Sequence, residues 1–165
     1  MVIADLVSSS HTESPVRGIP KSGGLAVYKE VSDQAMKGLK ASEPDFIVAF
    51  TEDKNGFDIN GKKFAVDADP MLRVRVGSMQ HRRVINNTQE LHPFHIHQVH
   101  FLAYAENGSR SESPEWLDTV NVPYGGGTAD LIMDFTDPII RGPSLFHCHL
   151  LSHGDKGMMA KILFE

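Results

Sequence analysis

Two short segments hold most of the residues in this chain that are able to do chemistry. One reads His147-Cys148-His149 and is followed by His153 and Met158; the other is His92-Pro93-Phe94-His95-Ile96-His97. Six of the nine histidines and the only cysteine lie in them. A soft thiolate, imidazoles and a thioether suit copper, whereas calcium and magnesium demand oxygen donors. One Cys, two His and a weak axial Met make the ligand set of a blue-copper electron-transfer centre. Four imidazoles remain once that set is drawn, which implies a second metal assembly.

Alternation along an extended backbone separates the two assemblies. With residues 147–149 extended, His147 and His149 point one way and Cys148 the other. His95 and His97 likewise share a face, while His92, set apart by Pro93, is free to reach the metal of Cys148. The order reads as an electron wire: metal, Cys148 sulfur, backbone, imidazole, second cluster. Zinc fits poorly, because its structural sites close with four ligands and need no thiolate between two histidines. An oxygenase site built on His95 and His97 wants a carboxylate close by; Glu106 comes nine residues after His97 and leaves Cys148 unexplained. His11, His81 and His100 read as surface or satisfied core groups. Met159 reads as a packing residue facing away from Met158, and Met71, Met79 and Met133 are too dispersed to form a methionine-rich copper entry.

The elements that must position these residues are short strands. Phe46 to Phe50 is a compact apolar strand, and Asn60-Gly61 within Phe57 to Phe64 favours a tight hairpin turn. Leu72 to Val76 alternates apolar and charged residues, as a strand with one wet face does. Phe101 to Tyr104, Thr119 to Val122, Leu131 to Phe135 and Met159 to Phe164 continue the pattern. Turn signals recur at Asn107-Gly108, Gly125-Gly126-Gly127 and Asp137-Pro138. This spacing predicts an all-β Greek-key sandwich or barrel over residues 46–165. Residues 1–45 differ: Pro15, Pro20 and Pro44 with Gly18, Gly23 and Gly24 break them up, leaving a short helix over 32–40 and an isolated strand over 24–29. This arm packs on the barrel or belongs to a neighbouring domain.

Both segments resemble the signatures of the multicopper oxidases, the family of laccases, bacterial cuprous oxidases and spore-coat laccases. His-Pro-x-His-x-His and His-Cys-His-x-x-x-His-x-x-x-x-Met match here at every ligand position. The resemblance covers roughly residues 46–165, the last cupredoxin domain of such enzymes. It implies that His92, Cys148 and His153 bind type 1 copper with Met158 as axial ligand. It implies further that His95 binds type 2 copper and that His97, His147 and His149 bind the type 3 pair. Trp116 to Val120 resembles a strand found between the signatures in bacterial members. Asp118 within it either orients a ligand imidazole or bonds nearby backbone. Gly154 stands where bacterial relatives often have an acid, with Asp155 next to it. Thr88 and Glu90 replace the Asp and Met of the cuprous oxidases, which argues against specialised Cu(I) oxidation and leaves Glu90 beside the type 1 edge.

Two functions follow. The chain is the C-terminal domain of an oxidase that takes single electrons from a small-molecule or metal-ion donor and passes them to a cluster reducing dioxygen to water. Alternatively it is a non-enzymatic cupredoxin in which only the type 1 site works, although such a carrier needs neither His147 nor His149. A trinuclear cluster of this family takes eight histidines, and four are here. Residues 1–91 contain no His-x-His segment, so the others are expected from a first cupredoxin domain in cis or in trans. A net charge of -5 argues against broad nucleic-acid binding, and no apolar run is long enough to span a membrane. Met1 to Asp5 lacks the basic and apolar regions of a signal peptide, so the compartment is not readable from the chain; the resemblance implies a periplasmic or secreted protein.

Overall fold

The computed structural model describes residues 43–165, so the helix expected over 32–40 and the strand expected over 24–29 lie outside the described residues. Eleven strands follow in chain order: β1 (Phe46–Asp53), β2 (Gly56–Ile59), β3 (Leu72–Val74), β4 (Ser78–Asn86), β5 (His92–Ile96), β6 (Phe101–Glu106), β7 (Ser109–Leu117), β8 (Thr119–Val122), β9 (Gly127–Phe135), β10 (Gly142–Cys148) and β11 (Met159–Phe164). A single-turn helix, α1 (Leu151–Asp155), joins the last two. The strands form a six-stranded sheet in the order β2-β1-β4-β9-β6-β7 and a five-stranded sheet in the order β3-β11-β10-β5-β8. This is the expected cupredoxin-like sandwich.

Alternation drives the packing. Val48 and Phe50 of β1, Phe94 and Ile96 of β5, Leu131, Met133 and Phe135 of β9, Phe146 of β10 and Ile162 and Phe164 of β11 all face the space between the sheets. Each aromatic ring hidden there contributes on the order of 2 kcal/mol or more through removal of apolar surface from water. Arg82 of β4 also points inward. Its guanidinium lies 5.2 Å from the Phe46 ring centre and 5.9 Å from that of Phe135, and burial pulls its pKa down to about 10.

Several expected elements differ in extent. The Asn60-Gly61 turn forms, with φ of 51° and 72°, but only one bridge, Ile59 to Lys62, follows it. The main partner of β2 is β1, through Phe50 opposite Ile59. β3 ends at Val74, two residues before the predicted end. Asp137-Pro138 starts a 3-10 turn, Pro138–Ile140, which the Asp137 carboxylate caps by accepting from the Ile139 N–H. β4, β7 before Trp116 and the first residues of β9 and β10 carry no clear alternation and were not expected as strands.

The turn after β8 is held by a close backbone approach. A Cβ on Gly127 would lie 2.4 Å from the Pro123 carbonyl oxygen, so no larger side chain fits. Gly127→Ala is therefore expected to lower stability by about 1–3 kcal/mol, read as a lower urea midpoint at constant slope. An unchanged midpoint would show that the turn relaxes freely.

Candidate metal centre

Strand register builds the site. In the antiparallel pair β5–β10, Phe94 opposes Cys148, His95 opposes His147 and Ile96 opposes Phe146. Side chains of directly opposed residues share a face. His95 and His147 therefore emerge together on the outer face of the five-stranded sheet, while Cys148 and Phe94 turn into the core. Beyond the strand ends, the His97 N–H donates to Leu145 O and the His149 N–H donates to Pro93 O, which extends the pairing by one residue on each side.

The inner cluster comprises His92, Cys148 and His153, all buried. His92 Nδ1 lies 3.3 Å from Cys148 Sγ, His153 Nδ1 lies 3.9 Å from the same sulfur, and the two nitrogens are 3.1 Å apart. A point at the middle of that triangle is about 2 Å from every donor, the length of metal–imidazole and metal–thiolate bonds. Three buried donors converge, and the far nitrogen of His92, Nε2, has no hydrogen-bond partner at all. Such an arrangement fits a bound metal better than a hydrogen-bonded core.

Backbone geometry returns His153 and Met158 to this point. After Cys148 the chain makes α1 and comes back so that the Met158 N–H donates to His153 O and the Cys148 N–H donates to Met158 O. Met158 is fully buried in the core. Phe57 stacks on the His153 ring at 4.0 Å and meets His92 edge-on at 5.7 Å, while Phe50 meets His92 edge-on at 5.6 Å. These rings keep water from the donors. Burial pushes the Cys148 thiol up and the His92 imidazolium down, which favours the thiol and the neutral imidazole.

The outer cluster is open. His97 Nε2 lies 3.0 Å from His147 Nε2, and His95 completes a group of three nitrogen donors. His149 is exposed, with its ring 5.0 Å from that of His95 and stacked 5.8 Å from that of His147. Two of the rings, His147 and His95, are oriented through their other nitrogen. The His147 Nδ1–H donates to Cys148 O at 2.8 Å, and His95 Nδ1 contacts Asp118 O and Thr119 Oγ1, both at 2.9 Å. Partners of this kind fix which nitrogen is left for a metal. Asp118 fills neither role expected of its carboxylate: its backbone carbonyl contacts His95, and its carboxylate accepts from Thr119 Oγ1 at 2.9 Å, 3.9 Å away from His95 Nδ1. Burial, with the neighbouring imidazoles, keeps His97 and His147 below the ordinary histidine pKa.

Other expectations resolve as follows. Among the remaining histidines, His100 is exposed, His81 is buried against Tyr104 and Asp130, and His11 lies outside the described residues. Met159 does face away from Met158, yet it lies on the outer face beside His147 and lines a 220 Å³ cavity with Met71 and Lys161 instead of packing in the core. Two contributors, Phe57 and Asn86, were not singled out from sequence as part of the site, and Thr88 was noted only where it replaces a residue of the cuprous oxidases. Phe57 carries the stacking described above. Asn86, fully buried, donates to Glu90 O and Val122 O, and Thr88 Oγ1 donates to Asn86 Oδ1, which fixes the loop entering His92. Only the Asn-Asn-Thr turn chemistry could have indicated the last two.

A family model described as Multicopper oxidase matches residues 38–165. The chain is 31% identical over 118 residues to the copper resistance protein A of Escherichia coli, covering 68% of this chain and 17% of that protein. It is 26% identical over 159 residues to the laccase of Bacillus subtilis (strain 168), covering 82% of this chain and 29% of the relative. The multicopper oxidase of Campylobacter jejuni superposes with a TM-score of 0.66 at 26% identity, over 74% of this chain and 30% of that one. The laccase of Pediococcus acidilactici gives 0.67 at 29% identity, over 78% and 28%. The chain therefore spans under a third of the length of these relatives. With two histidine clusters arranged back to back around one cysteine, and with these similarities, the chain belongs to the multicopper oxidase family of copper-dependent oxidoreductases.

Proposed function

We propose that residues 46–165 are the last cupredoxin domain of a multicopper oxidase, with residues 1–45 as an interdomain arm, and that the domain accepts single electrons from a donor for the reduction of dioxygen. The observation carrying this reading is the contact between the clusters: Cys148 faces inward with His92 and His153, while its neighbour His147 faces outward and donates through Nδ1–H to the Cys148 carbonyl. His92, Cys148, His153 and Met158 would hold type 1 copper. His95 would hold type 2 copper, and His97, His147 and His149 the type 3 pair. When bound there, copper supplies one-electron redox chemistry and the four-electron reduction of dioxygen to water.

The chain's own residues prepare both ends. His153 is the inner ligand nearest the surface, and its Nε2 lies 3.7 Å from Glu90 Oε2. Leu150 and Leu151, both exposed, precede His153 in sequence, and exposed Leu91 precedes His92. This edge is where a small-molecule or metal-ion donor would dock. At the other end, the four outer imidazoles are half of a trinuclear set, and a first cupredoxin domain in cis or in trans would supply the rest. Among the described residues no helix is long and apolar enough to cross a membrane.

Three tests follow from these assignments. Because burial favours the protonated Cys148 thiol and the neutral His92, metal entry must expel a thiol proton; affinity should rise about tenfold per pH unit below the thiol pKa. With Zn(II) as a redox-inert probe, calorimetry in buffers of different ionisation enthalpy should show about one proton released per inner site near pH 7. Cys148→Ser should lose that release, and with copper it should lose the blue charge-transfer band while keeping the fold. Retention of both would remove Cys148 from the site.

Met158→Leu should keep copper and raise its reduction potential, since a weak donor that stabilises Cu(II) is gone. An unchanged potential would point to another axial group. Finally, the purified chain should bind type 1 copper yet consume little oxygen with a phenolic or ferrous donor, and activity should appear when a first domain is supplied. Robust reduction of dioxygen to water by the chain alone would overturn the half-cluster reading.

A further inference from the structure

Two charges of opposite sign sit beside His153. At the tip of its ring, Nε2 lies 3.7 Å from Glu90 Oε2. Against its face lies Phe57, with ring centres 4.0 Å apart and planes 21° from parallel. Lys156 holds its ammonium 5.9 Å from the centre of that same phenyl ring, within reach of a cation–π contact. These distances put the ammonium on the order of 10 Å or less from the imidazole, no farther than a Debye length at 0.1 M salt.

Backbone packing keeps the arrangement in place. β2 lies against the turn that follows α1: the Phe64 N–H donates to Gly157 O at 3.1 Å, and a Cβ on Gly157 would come within 2.7 Å of Phe57 O. The Lys63 ammonium donates to Asn55 O at 2.5 Å, with its side chain laid against Gly157. Phe57 is buried here, so its ring cannot leave His153 without parting β2 from that turn. The consequence is electrostatic. Cu(II) carries one more positive charge than Cu(I), so a nearby carboxylate favours Cu(II) and a nearby ammonium favours Cu(I). The field of Glu90 also reaches the other donors: besides burial, it bears on the Cys148 thiol and the His92 imidazolium, favouring the protonated form of each.

We propose that Glu90 and Lys156 are opposed settings on the reduction potential of copper held by His92, Cys148, His153 and Met158. Glu90 lowers the potential from the tip of His153, and Lys156 raises it from its place on Phe57. The inference rests on the assignment of type 1 copper to those four residues. Neither charge touches the metal; both are positioning residues that act across the His153 ring, and together they set which donors can be oxidised.

Redox titration of the copper-loaded full chain, followed at the blue band, is the test. Glu90→Gln should shift the balance toward Cu(I) by about threefold to tenfold, and Lys156→Gln toward Cu(II) by about twofold to fivefold. A tenfold change is about 59 mV for a one-electron couple. Both shifts should shrink in 1 M salt, which screens charge but leaves packing alone. Lys156→Arg should keep the potential. So should Glu112→Gln on β7, at the edge of the six-stranded sheet opposite β2. On a Phe57→Leu background, which frees the lysine from its ring, Lys156→Gln should move the potential less than half as far. Shifts of the same sign in the two Gln variants, or a blue band with both potentials unmoved, would overturn the inference alone. An unmodified chain that binds copper without a blue band would overturn the type 1 assignment and this inference with it.

Discussion

One pairing, Cys148 opposite Phe94 in the β5–β10 ladder, carries the rest of the site. Strand side chains alternate, so this register alone sends the sulfur into the sandwich and the adjacent imidazoles out of it. A slip by one residue would exchange the faces and leave a thiol among exposed histidines. The neighbouring pairs, Phe146 with Ile96 and with Ala160 of β11, are apolar and inward-facing, and they penalise any such slip. Hydrophobic burial thus fixes the chemistry indirectly, by making only one alignment compatible with a filled core.

The inner cluster is costly to build without metal. Two imidazole nitrogens and a sulfur face one another within 3.9 Å, and His92 Nε2 is sealed in with no partner. One orphaned buried polar atom costs about 1–3 kcal/mol. The aromatic packing of Phe50 and Phe57 against these rings, together with the Asn86–Thr88 network behind His92, offsets that cost. The outer cluster carries no such penalty, because His95 and His147 are bonded through their other nitrogens and His97 and His149 are exposed to water.

The ligand segments were legible in the sequence because their chemistry is concentrated and their spacing follows the two-residue period of a strand. So were β1, β6, β8 and β11, short apolar stretches bounded by turn signals. β4 was hidden for a physical reason. It places Arg82 inside the sandwich and buries His81 outside it, so hydropathy gives the wrong face at two adjacent positions. β7 was hidden because it is a largely exposed edge strand with a proline at position 114 and almost nothing to bury. The partners that orient His95 were only half visible, since a backbone carbonyl leaves no mark on residue type. Phe57 looked like one apolar residue among many until the fold stacked it on His153.

The connection between Cys148 and Met158 bears on time as well as on geometry. His92 and Cys148 are sealed by the sandwich, and the inner donor nearest the surface, His153, is held by α1. That helix is five residues long, and no side chain caps its start at Leu150. A helix this short has little stability of its own and persists only through the contacts of its buried face. Local opening of such a segment costs far less than unfolding the sheets around it. An ion would therefore enter or leave at the pace at which this single turn lifts, and residence in the centre would be a kinetic property of five residues, set apart from the equilibrium strength of the ligands.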